Sequence, residues 1–331
     1  MLSHIPRLER PVVYSSQTKV LHVNKIAGVP ETLVAQARKM GLPWALKEIP
    51  AGRGKIPTVV KTRLEDLVAW PRVYAQADLI HLHYATNGYY GWGSKPFVLH
   101  LHGSDVRRDW KKPVLREVIT HSLQRADAVL YATPDLYQHI KSIRPDAQWA
   151  PNPVPTSFFQ TQIDTVAENT VVFSSRWDDT KGLELLLPLA ATLISRGVRV
   201  VGIDWGTHKQ QAREAGVELY PLMAPPDFAK FLASGGVVVG QLKFPALSMT
   251  DYQTLALNRP LVCAANVEQP PALTVTCEDE PGLPRDPDLI ATKIMHLLQS
   301  STPADTQNWV MERHHPAVAV AFLEKTYREL A

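Results

Sequence analysis

Cysteine is scarce in this sequence of 331 residues, with Cys263 and Cys277 the only two. Two cysteines without a CxxC pair exclude a disulfide framework and a cysteine-based zinc site, and they suit a reducing compartment. No apolar run approaches the roughly 18 residues of a membrane-spanning helix. The start of the chain, MLSHIPRLERPVVYSS, lacks the apolar segment of a secretory signal. We therefore expect a cytoplasmic protein.

Size and charge distribution point to two domains of about 150 residues each. The chain has 331 residues, of which 45% are hydrophobic, and this length is more than a single hydrophobic core usually accommodates. Residues 1–158 hold 21 Lys+Arg and 12 Asp+Glu, a net charge of +9, whereas the remainder holds 14 and 20, a net charge of −6. A basic first half indicates that this half binds an anionic partner. The simpler alternative is that the charges are only distributed unevenly over surfaces that face water.

The first half alternates strand and helix patterns, which predicts a parallel, doubly wound sheet. The predicted strands are Val20–Val23, Asp78–His83, Phe97–His102 and Ala128–Tyr131, and the predicted helices are Glu31–Met40, about Leu64–Ala75 and Pro113–Arg125. Three prolines within residues 151–155 then interrupt the alternation, because proline suits neither a helix interior nor a central strand. This segment is the best domain boundary in the sequence.

The same alternation restarts after the boundary and predicts a second Rossmann-like unit. Its predicted strands are Val171–Ser174, Val198–Ile203, Gly236–Gly240 and Pro260–Ala264, and its predicted helices are Gly182–Ser195, Pro226–Leu232 and Thr250–Leu257. The tail, Thr306–Leu330, is predicted to be helical. The domains expected are 1–158, 159–308 and a final helix, 309–331, that returns to the first domain.

Loops at the carboxyl ends of the predicted strands are the first places to seek a ligand site. Gly28 lies between a strand and a helix, where a backbone can approach phosphate, although a simple turn explains it equally well. No GxGxxG motif is present, which disfavours a nicotinamide-dependent dehydrogenase.

Histidines alternate along two neighbouring predicted strands, as His81 and His83 and as His100 and His102. Alternate residues share one face of a strand, and His102 stands at a strand end, where a catalytic or sugar-binding role fits. Four histidines can bind zinc. No carboxylate or cysteine completes a recognisable metal-binding spacing, so no metal is expected and core roles are favoured for His81 and His100.

Two loops of the second half carry groups suited to a diphosphate. Arg176 and Lys181 lie on a loop that opens a helix, where a forked guanidinium, an ammonium and a helix N-terminus suit phosphate oxygens. A surface ion pair of Arg176 with Asp178 or Asp179 is the alternative. The segment 248–253, SMTDYQ, begins another helix, and a plain N-cap is its simpler interpretation.

These pieces, taken in order over nearly the whole chain, resemble the GT4-like branch (glycosyltransferase group 1) of GT-B glycosyltransferases. The resemblance rests on DLIHLHYA (78–85), PFVLHLHGSDVR (96–107), RADAVLYATPDL (125–136), APNPVPTSFF (150–159), SSRWDDTKG (174–182) and LALNRPLV (255–262), with Asn258 in place of a glycine. It implies an α/β fold of two Rossmann-like domains facing across a cleft. It also implies retaining, metal-independent transfer from a nucleotide sugar of the UDP or GDP type, with no other cofactor.

The resemblance also implies roles for individual residues. His102, beside the transferred sugar, and Arg176 and Lys181, on the diphosphate, form the expected catalytic group. The expected donor-binding residues are Gly28, Val29, Asp105, Thr133, Leu222, Met223, Ser248, Met249, Thr250, Asp251 and Gln253. The family's two glutamates fall at Gln253 and near Pro245, so either Asp251 substitutes for them, donor binding differs, or activity is weakened.

The missing glutamates motivate an alternative, a non-catalytic GT-B subunit that binds a glycan or a protein. A nucleotide-sugar epimerase of this architecture is a third hypothesis without a supporting carboxylate cluster. The basic segment, residues 107–112, surrounds a tryptophan with cations, which suits an anionic lipid or a phosphate-rich acceptor. Arg107, Arg108, Trp110, Lys111 and Lys112 are therefore expected to dock a glycan, lipid-linked or other anionic acceptor, with peripheral contact at the inner membrane surface. No nucleic-acid motif is present.

Overall fold

The computed structural model describes residues 13–50, 52, 54–162, 166–300 and 305–330. Most of the N-terminal stretch examined for a secretory signal lies outside these residues. The chain divides into two compact units: Met1–Pro153 with Pro316–Ala331, and Val154–His315. Among the described residues, no helix has the length and hydropathy that crossing a membrane requires.

The first unit is built on six parallel strands in the order β2-β1-β3-β4-β5-β6. These strands are β1 Val20–Val23, β2 Ala45–Lys47, β3 Leu79–His83, β4 Phe97–Leu101, β5 Ala128–Tyr131 and β6 Gln148–Trp149. Its helices are α1 Val29–Lys39, α2 Ile56–Ala75, α3 Ser104–Arg107, α4 Pro113–Arg125, α5 Tyr137–Ile140 and α13 Pro316–Glu329. The order reverses at β1, which lies between β2 and β3.

The second unit repeats this plan with the strand order β12-β11-β10-β7-β8-β9, all parallel. Its strands are β7 Ala167–Phe173, β8 Arg199–Ile203, β9 Glu218–Tyr220, β10 Gly235–Val239, β11 Leu261–Ala264 and β12 Leu273–Val275. Its helices are α6 Thr156–Phe159, α7 Leu183–Ser195, α8 Lys209–Glu214, α9 Pro225–Ser234, α10 Met249–Ala256, α11 Pro287–Gln299 and α12 Thr306–His314. Two doubly wound parallel sheets confirm the predicted α/β class.

The alternation of side chains along the strands explains why each sheet is covered on both faces. In β7, Val171 and Phe173 join one buried apolar cluster, and Val172 joins another on the opposite face. In the first unit, Leu82 of β3 and Leu99 of β4 lie in the apolar cluster on one face of the sheet. The residues that alternate with them, His81 and His83 on β3 and His100 on β4, place their imidazoles on the other face.

Two helix predictions need correction. Helix α2 begins at Ile56, eight residues before the predicted start. The prediction started too late because no residue of this helix is fully buried and its first turns show no apolar stripe. The tail forms two helices, because Pro316 keeps the preceding residue extended. His315 has φ −65° and ψ 138°, which ends α12.

Candidate functional site

In the second unit, Arg176 and Lys181 lie on the connection between β7 and α7. Lys181 ends a short 3₁₀ helix, and Gly182, with φ 90°, starts α7. A side chain at Gly182 is disfavoured by this φ and by the Leu242 backbone, which an added Cβ would approach at 3.0 Å. The connection follows the carboxyl end of β7, beside the strand-order reversal where ligands bind in sheets of this kind.

The guanidinium of Arg176 is held in place by three neighbours. Its Nε lies 2.5 Å from Asp178 Oδ2, its Nη2 donates to Thr180 Oγ1 at 3.0 Å, and its Cζ lies 5.5 Å from the centre of the Trp205 ring. The ion pair with Asp178, which was the alternative interpretation, is therefore present, and the neighbouring side chains fix the position of the guanidinium. Trp205 was missed in the sequence because it stands on the separate loop after β8.

The start of α10 lies beside this loop. Ser248 and Asp251 form a reciprocal capping box, in which the Ser248 N–H donates to Asp251 Oδ2 at 2.6 Å and the Asp251 N–H donates to Ser248 Oγ at 3.3 Å. Thr250 Oγ1 lies 2.9 Å from Ser248 Oγ. The N-cap interpretation is therefore correct, and Ser248, Met249 and Thr250 remain partly exposed.

Asp251 is fully buried rather than exposed for a ligand. Burial raises its pKa to about 6, against the lowering effects of its bonds to Ser248 and of the nearby charge of Lys181. An added Cβ on Gly240 would collide with its Oδ1, so β10 and α10 pack closely here. Asp251 thus connects the start of α10 to the Lys181 loop.

The structure also shows what stands near the positions of the missing glutamates. Gln253 is half-buried on α10. One residue earlier, the Tyr252 hydroxyl donates to both carboxylate oxygens of Glu268, at 2.8 and 3.0 Å. The Glu268 side chain is 2% exposed and its Oε2 lies 3.6 Å from His314 Nε2. Glu268 was not predicted because it follows β11, far along the chain from the loop that carries Arg176 and Lys181.

Two smaller features complete this edge of the second unit. Leu222 and Met223 lie on the loop between β9 and α9, with Leu222 66% exposed and Met223 packed against the apolar core. Asn258, which replaces the family's glycine, has φ 55°, a left-handed conformation that asparagine tolerates better than most residues. The substitution therefore preserves the backbone turn.

In the first unit, the connection from β1 to α1 has an unusual backbone. Asn24 and Ala27 have φ 79° and φ 51°, and Gly28 follows with φ 75° as the N-cap of α1. Positive φ at two non-glycine residues stores strain of the kind that clusters at ligand sites. Gly28 is exposed and Val29 is buried, so only the glycine backbone is open to a ligand.

His102 follows β4 and is half-buried, and Asp105 fixes the backbone around it. The buried carboxylate of Asp105 accepts hydrogen bonds from four backbone N–H groups, those of Ala85, His102, Gly103 and Val106, at 2.8–3.2 Å. Burial raises the pKa of Asp105 although these bonds lower it. Asp105 therefore shapes the His102 loop from inside the unit.

His102 belongs to a cluster of five histidines, comprising His22, His81, His83, His100 and His102. The strand register explains the cluster, since His22 pairs with His81 across β1 and β3, and His83 pairs with His100 across β3 and β4. Burial lowers the pKa of His22 and of His100 to about 3, and it holds the pKa values of the other three well below their usual range. These imidazoles are therefore neutral near pH 7. His22 was missed because its role depends on this pairing.

The basic segment divides into bound and outward cations. Arg107 lies 2.5 Å from Asp135 and donates to Thr133 Oγ1 at 2.9 Å, and its side chain is 18% exposed. Thr133 is thus buried against Arg107. Arg108 and Lys112 both pair with Asp109, but their side chains remain 60% and 56% exposed.

Two members of the segment differ from these pairs. Lys111 is exposed, and Trp110 is half-buried with its Nε1 donating to Thr120 Oγ1 at 3.0 Å. The structure thus brings Arg176, Lys181 and Asp251 near one another in one unit. In the other unit it brings together His102 after β4, Asp105 and Arg107 on α3, and Thr133 after β5. Gly28 lies two strands from β4.

Comparison with known proteins agrees with this organisation. Residues 30–158 match the family model described as Glycosyltransferase Family 4. No curated protein shows significant similarity to the sequence.

Solved structures match nearly the whole chain at low sequence identity. Sucrose-phosphate synthase from Thermosynechococcus elongatus is 14% identical, with 95% of this chain and 99% of that one covered and a TM-score of 0.70. Anabaena HepE in complex with UDP and glucose is 13% identical, with 95% and 100% covered and a TM-score of 0.67. A UDP-forming α,α-trehalose-phosphate synthase from Burkholderia xenovorans is 14% identical, with 95% and 97% covered and a TM-score of 0.57.

The first unit therefore contains a region that matches the Glycosyltransferase Family 4 model, and the chain as a whole has the GT-B fold of these solved structures.

Proposed function

We propose that this protein is a GT4-like glycosyltransferase that moves a sugar from a nucleoside-diphosphate sugar to an acceptor with retention of anomeric configuration and without a catalytic metal. The observation that carries the proposal is the placement of Arg176 and Lys181 at the strand-order reversal of the second sheet, before the N-terminus of α7. Two cations and a helix N-terminus match a diphosphate in charge and geometry. HepE was solved with UDP, and the trehalose-phosphate synthase is UDP-forming, so a UDP sugar is the first donor to test and a GDP sugar the second.

In this proposal the bond between the anomeric carbon and the β-phosphate oxygen breaks while the acceptor oxygen bonds to the anomeric carbon from the same face, and the hydroxyl proton passes to the departing diphosphate. Negative charge grows on the departing diphosphate, and Arg176 and Lys181 are preorganised to stabilise it. This positive charge takes the place that a divalent cation has in other sugar transferases. For the first unit, the family resemblance implies a role of His102 on the transferred sugar and of the Gly28 backbone on the phosphates.

A thermal-shift screen with UDP, GDP, ADP, CMP and dTDP tests the donor site. A nucleotide at about 100 times its Kd stabilises the native state by about 2.7 kcal/mol, which corresponds to roughly 5–10 °C in a unit of this size. We expect one nucleotide to give this shift, and the Arg176→Ala/Lys181→Ala protein to lose it. No shift with any of the five, or an equal shift in the double variant, contradicts the proposed site.

The acceptor is proposed to be a glycan that is anionic or lipid-linked, docked with peripheral membrane contact through the outward part of the basic segment. Arg108, Lys111 and Lys112 supply exposed cations, and the neighbouring Val114 is 79% exposed. Arg107 is excluded from the docking set because it is committed to Asp135 and Thr133.

Replacing Arg108, Lys111 and Lys112 with glutamine should weaken binding to anionic vesicles by about 100-fold at low salt, since each cation near a charged membrane contributes about 1 kcal/mol. Sedimentation with vesicles containing phosphatidylserine measures this binding. The triple variant Lys39→Gln/Lys61→Gln/Lys141→Gln is the matched control, because it removes three exposed cations elsewhere in the same unit. If the two triple variants bind the anionic vesicles equally well, the docking proposal is wrong.

A further inference from the structure

The histidine cluster of the first unit forms two hydrogen-bonded series. In one, Tyr327 Oη lies 2.5 Å from His81 Nδ1, and His81 Nε2 lies 3.3 Å from His100 Nδ1. In the other, His22 Nδ1 lies 3.0 Å from His83 Nε2, and His83 Nδ1 lies 2.9 Å from His102 Nε2. Neither series accounts for every ring nitrogen.

Two buried ring nitrogens, His22 Nε2 and His100 Nε2, have no hydrogen-bond partner among the described residues. A neutral imidazole has one donor and one acceptor nitrogen, so reversing the tautomers along a series changes only which kind of group is left over. A buried polar atom without a partner costs roughly 1–3 kcal/mol. Two ring nitrogens of the cluster, His22 Nε2 and His100 Nε2, are therefore available to a ligand inside the first unit.

The ring nitrogens also lie at metal-binding distances. One nitrogen from each of His83, His100 and His102 falls within 4.8 Å of the other two. With Zn–N bonds of about 2.0–2.1 Å, tetrahedral geometry requires nitrogens about 3.3 Å apart. The 2.9 Å contact between His83 and His102 is already close to that spacing.

The remaining histidines are placed to orient these three ligands. When His83 Nδ1 and His100 Nε2 face a metal, His83 Nε2–H donates to His22 Nδ1 and His100 Nδ1–H donates to His81 Nε2. Such outer hydrogen bonds fix the tautomer and the ring orientation of a metal-bound histidine.

We propose that His83, His100 and His102 form a site for one divalent transition metal that imidazole favours, with Zn²⁺ the first to test, and that His22 and His81 orient its ligands. Three imidazoles leave one coordination position open to water or an anion. Access is from His102, since it is half-buried and the other two ligands are fully buried. The carboxylate of Asp105 accepts from the backbone N–H of His102 and so holds the backbone of this ligand in place.

The site differs from the metal-independent diphosphate site in the second unit. A metal held by His102 Nε2 fixes this ring and places a cation beside the group proposed to contact the sugar, so Zn²⁺ should inhibit sugar transfer and EDTA should restore it. This inhibition rests on the proposed function, but metal binding does not.

Equilibrium dialysis of the tag-free, EDTA-treated full chain against ZnCl₂, without nucleotide, tests the site directly. We expect one Zn²⁺ per chain, and a Kd about 100-fold higher or more in His102→Ala and in His100→Ala. His139→Ala removes an exposed histidine and is the control that retains binding. Co²⁺ should give the intense visible bands of a tetrahedral site in the unaltered chain and lose them in His102→Ala, which alters a half-buried residue and so preserves folding.

Two results would overturn the assignment. One is the absence of stoichiometric binding to the unaltered chain. The other is loss of binding in His22→Ala together with full binding in His102→Ala, because that places the metal on the buried group His22, His81 and His83 instead.

Discussion

Replacing Arg176 or Lys181 with alanine should lower kcat for sugar transfer by about 10²–10³-fold each, while the protein stays folded. Removal of one preorganised group that stabilises developing negative charge has an effect of this size. The substitutions should cost little stability, since Arg176 takes part in a partly exposed ion pair with Asp178. Single-turnover release of nucleoside diphosphate, with the donor chosen by the thermal-shift screen, measures the change.

The guanidinium geometry provides a finer test of the same site. Arg176→Lys keeps the charge but loses the fork that can hold two phosphate oxygens, so it should fall between Arg176→Ala and the unaltered enzyme. Arg196→Ala is the matched control, because Arg196 pairs with Asp288 at the opposite end of α7. Losses below tenfold in both alanine variants, with folding intact, would show that the diphosphate binds elsewhere.

The sequence predicts this part of the molecule well because the determining signals are local. Buried strands such as β10 and β11 are short apolar runs, and each is followed by a loop at the carboxyl edge of its sheet. Arg176 and Lys181 stand next to such a strand in the sequence itself. Their position is therefore readable before any packing is known.

The histidine cluster shows where local signals end. His22 meets His81 only because β1 and β3, separated by some 56 residues, pair in one particular register. If the register of a strand in this sheet shifted by one residue, the imidazoles of that strand would lie on the opposite face. Tyr327, which bonds His81, comes from the last helix of the chain. The sequence shows two HxH patterns, but only the sheet makes five imidazoles into one cluster.

Glu268 and Asp251 show a second limit, which concerns burial. Both are carboxylates near the start of α10, and neither resembles the glutamate pair of the family in spacing. The structure buries both, one against Tyr252 and one in a capping box. Composition and spacing describe which charges are present, but the partner that makes burial tolerable becomes visible only after folding.

The second large effect is expected at Asp105, whose removal should destabilise the first unit by about 4 kcal/mol. In Asp105→Ala the carboxylate is gone, and the N–H groups of Ala85, His102, Gly103 and Val106 lose their shared acceptor. Each buried N–H left without a partner costs roughly 1–3 kcal/mol, and part of this is recovered where the loop opens to water. A loss of this size lowers Tm by roughly 10 °C.

Asp105→Asn separates charge from hydrogen bonding at this position. Its carbonyl oxygen still accepts, but its NH₂ group faces N–H donors, so we expect about half the destabilisation of Asp105→Ala. Asp146→Ala is the control, because it removes an exposed carboxylate paired with Arg144 in the same unit and should change stability by less than about 1 kcal/mol.

Urea unfolding followed by circular dichroism measures the loss of stability, and amide hydrogen exchange locates it. The amides of residues 102–106 should exchange faster in Asp105→Ala than in Asp146→Ala, because their acceptor is absent. Transfer activity should fall in parallel, since the backbone that carries His102 is no longer held. If the exchange of this loop is unchanged while stability falls, the carboxylate acts on the core rather than on the loop, and its role in positioning His102 is refuted.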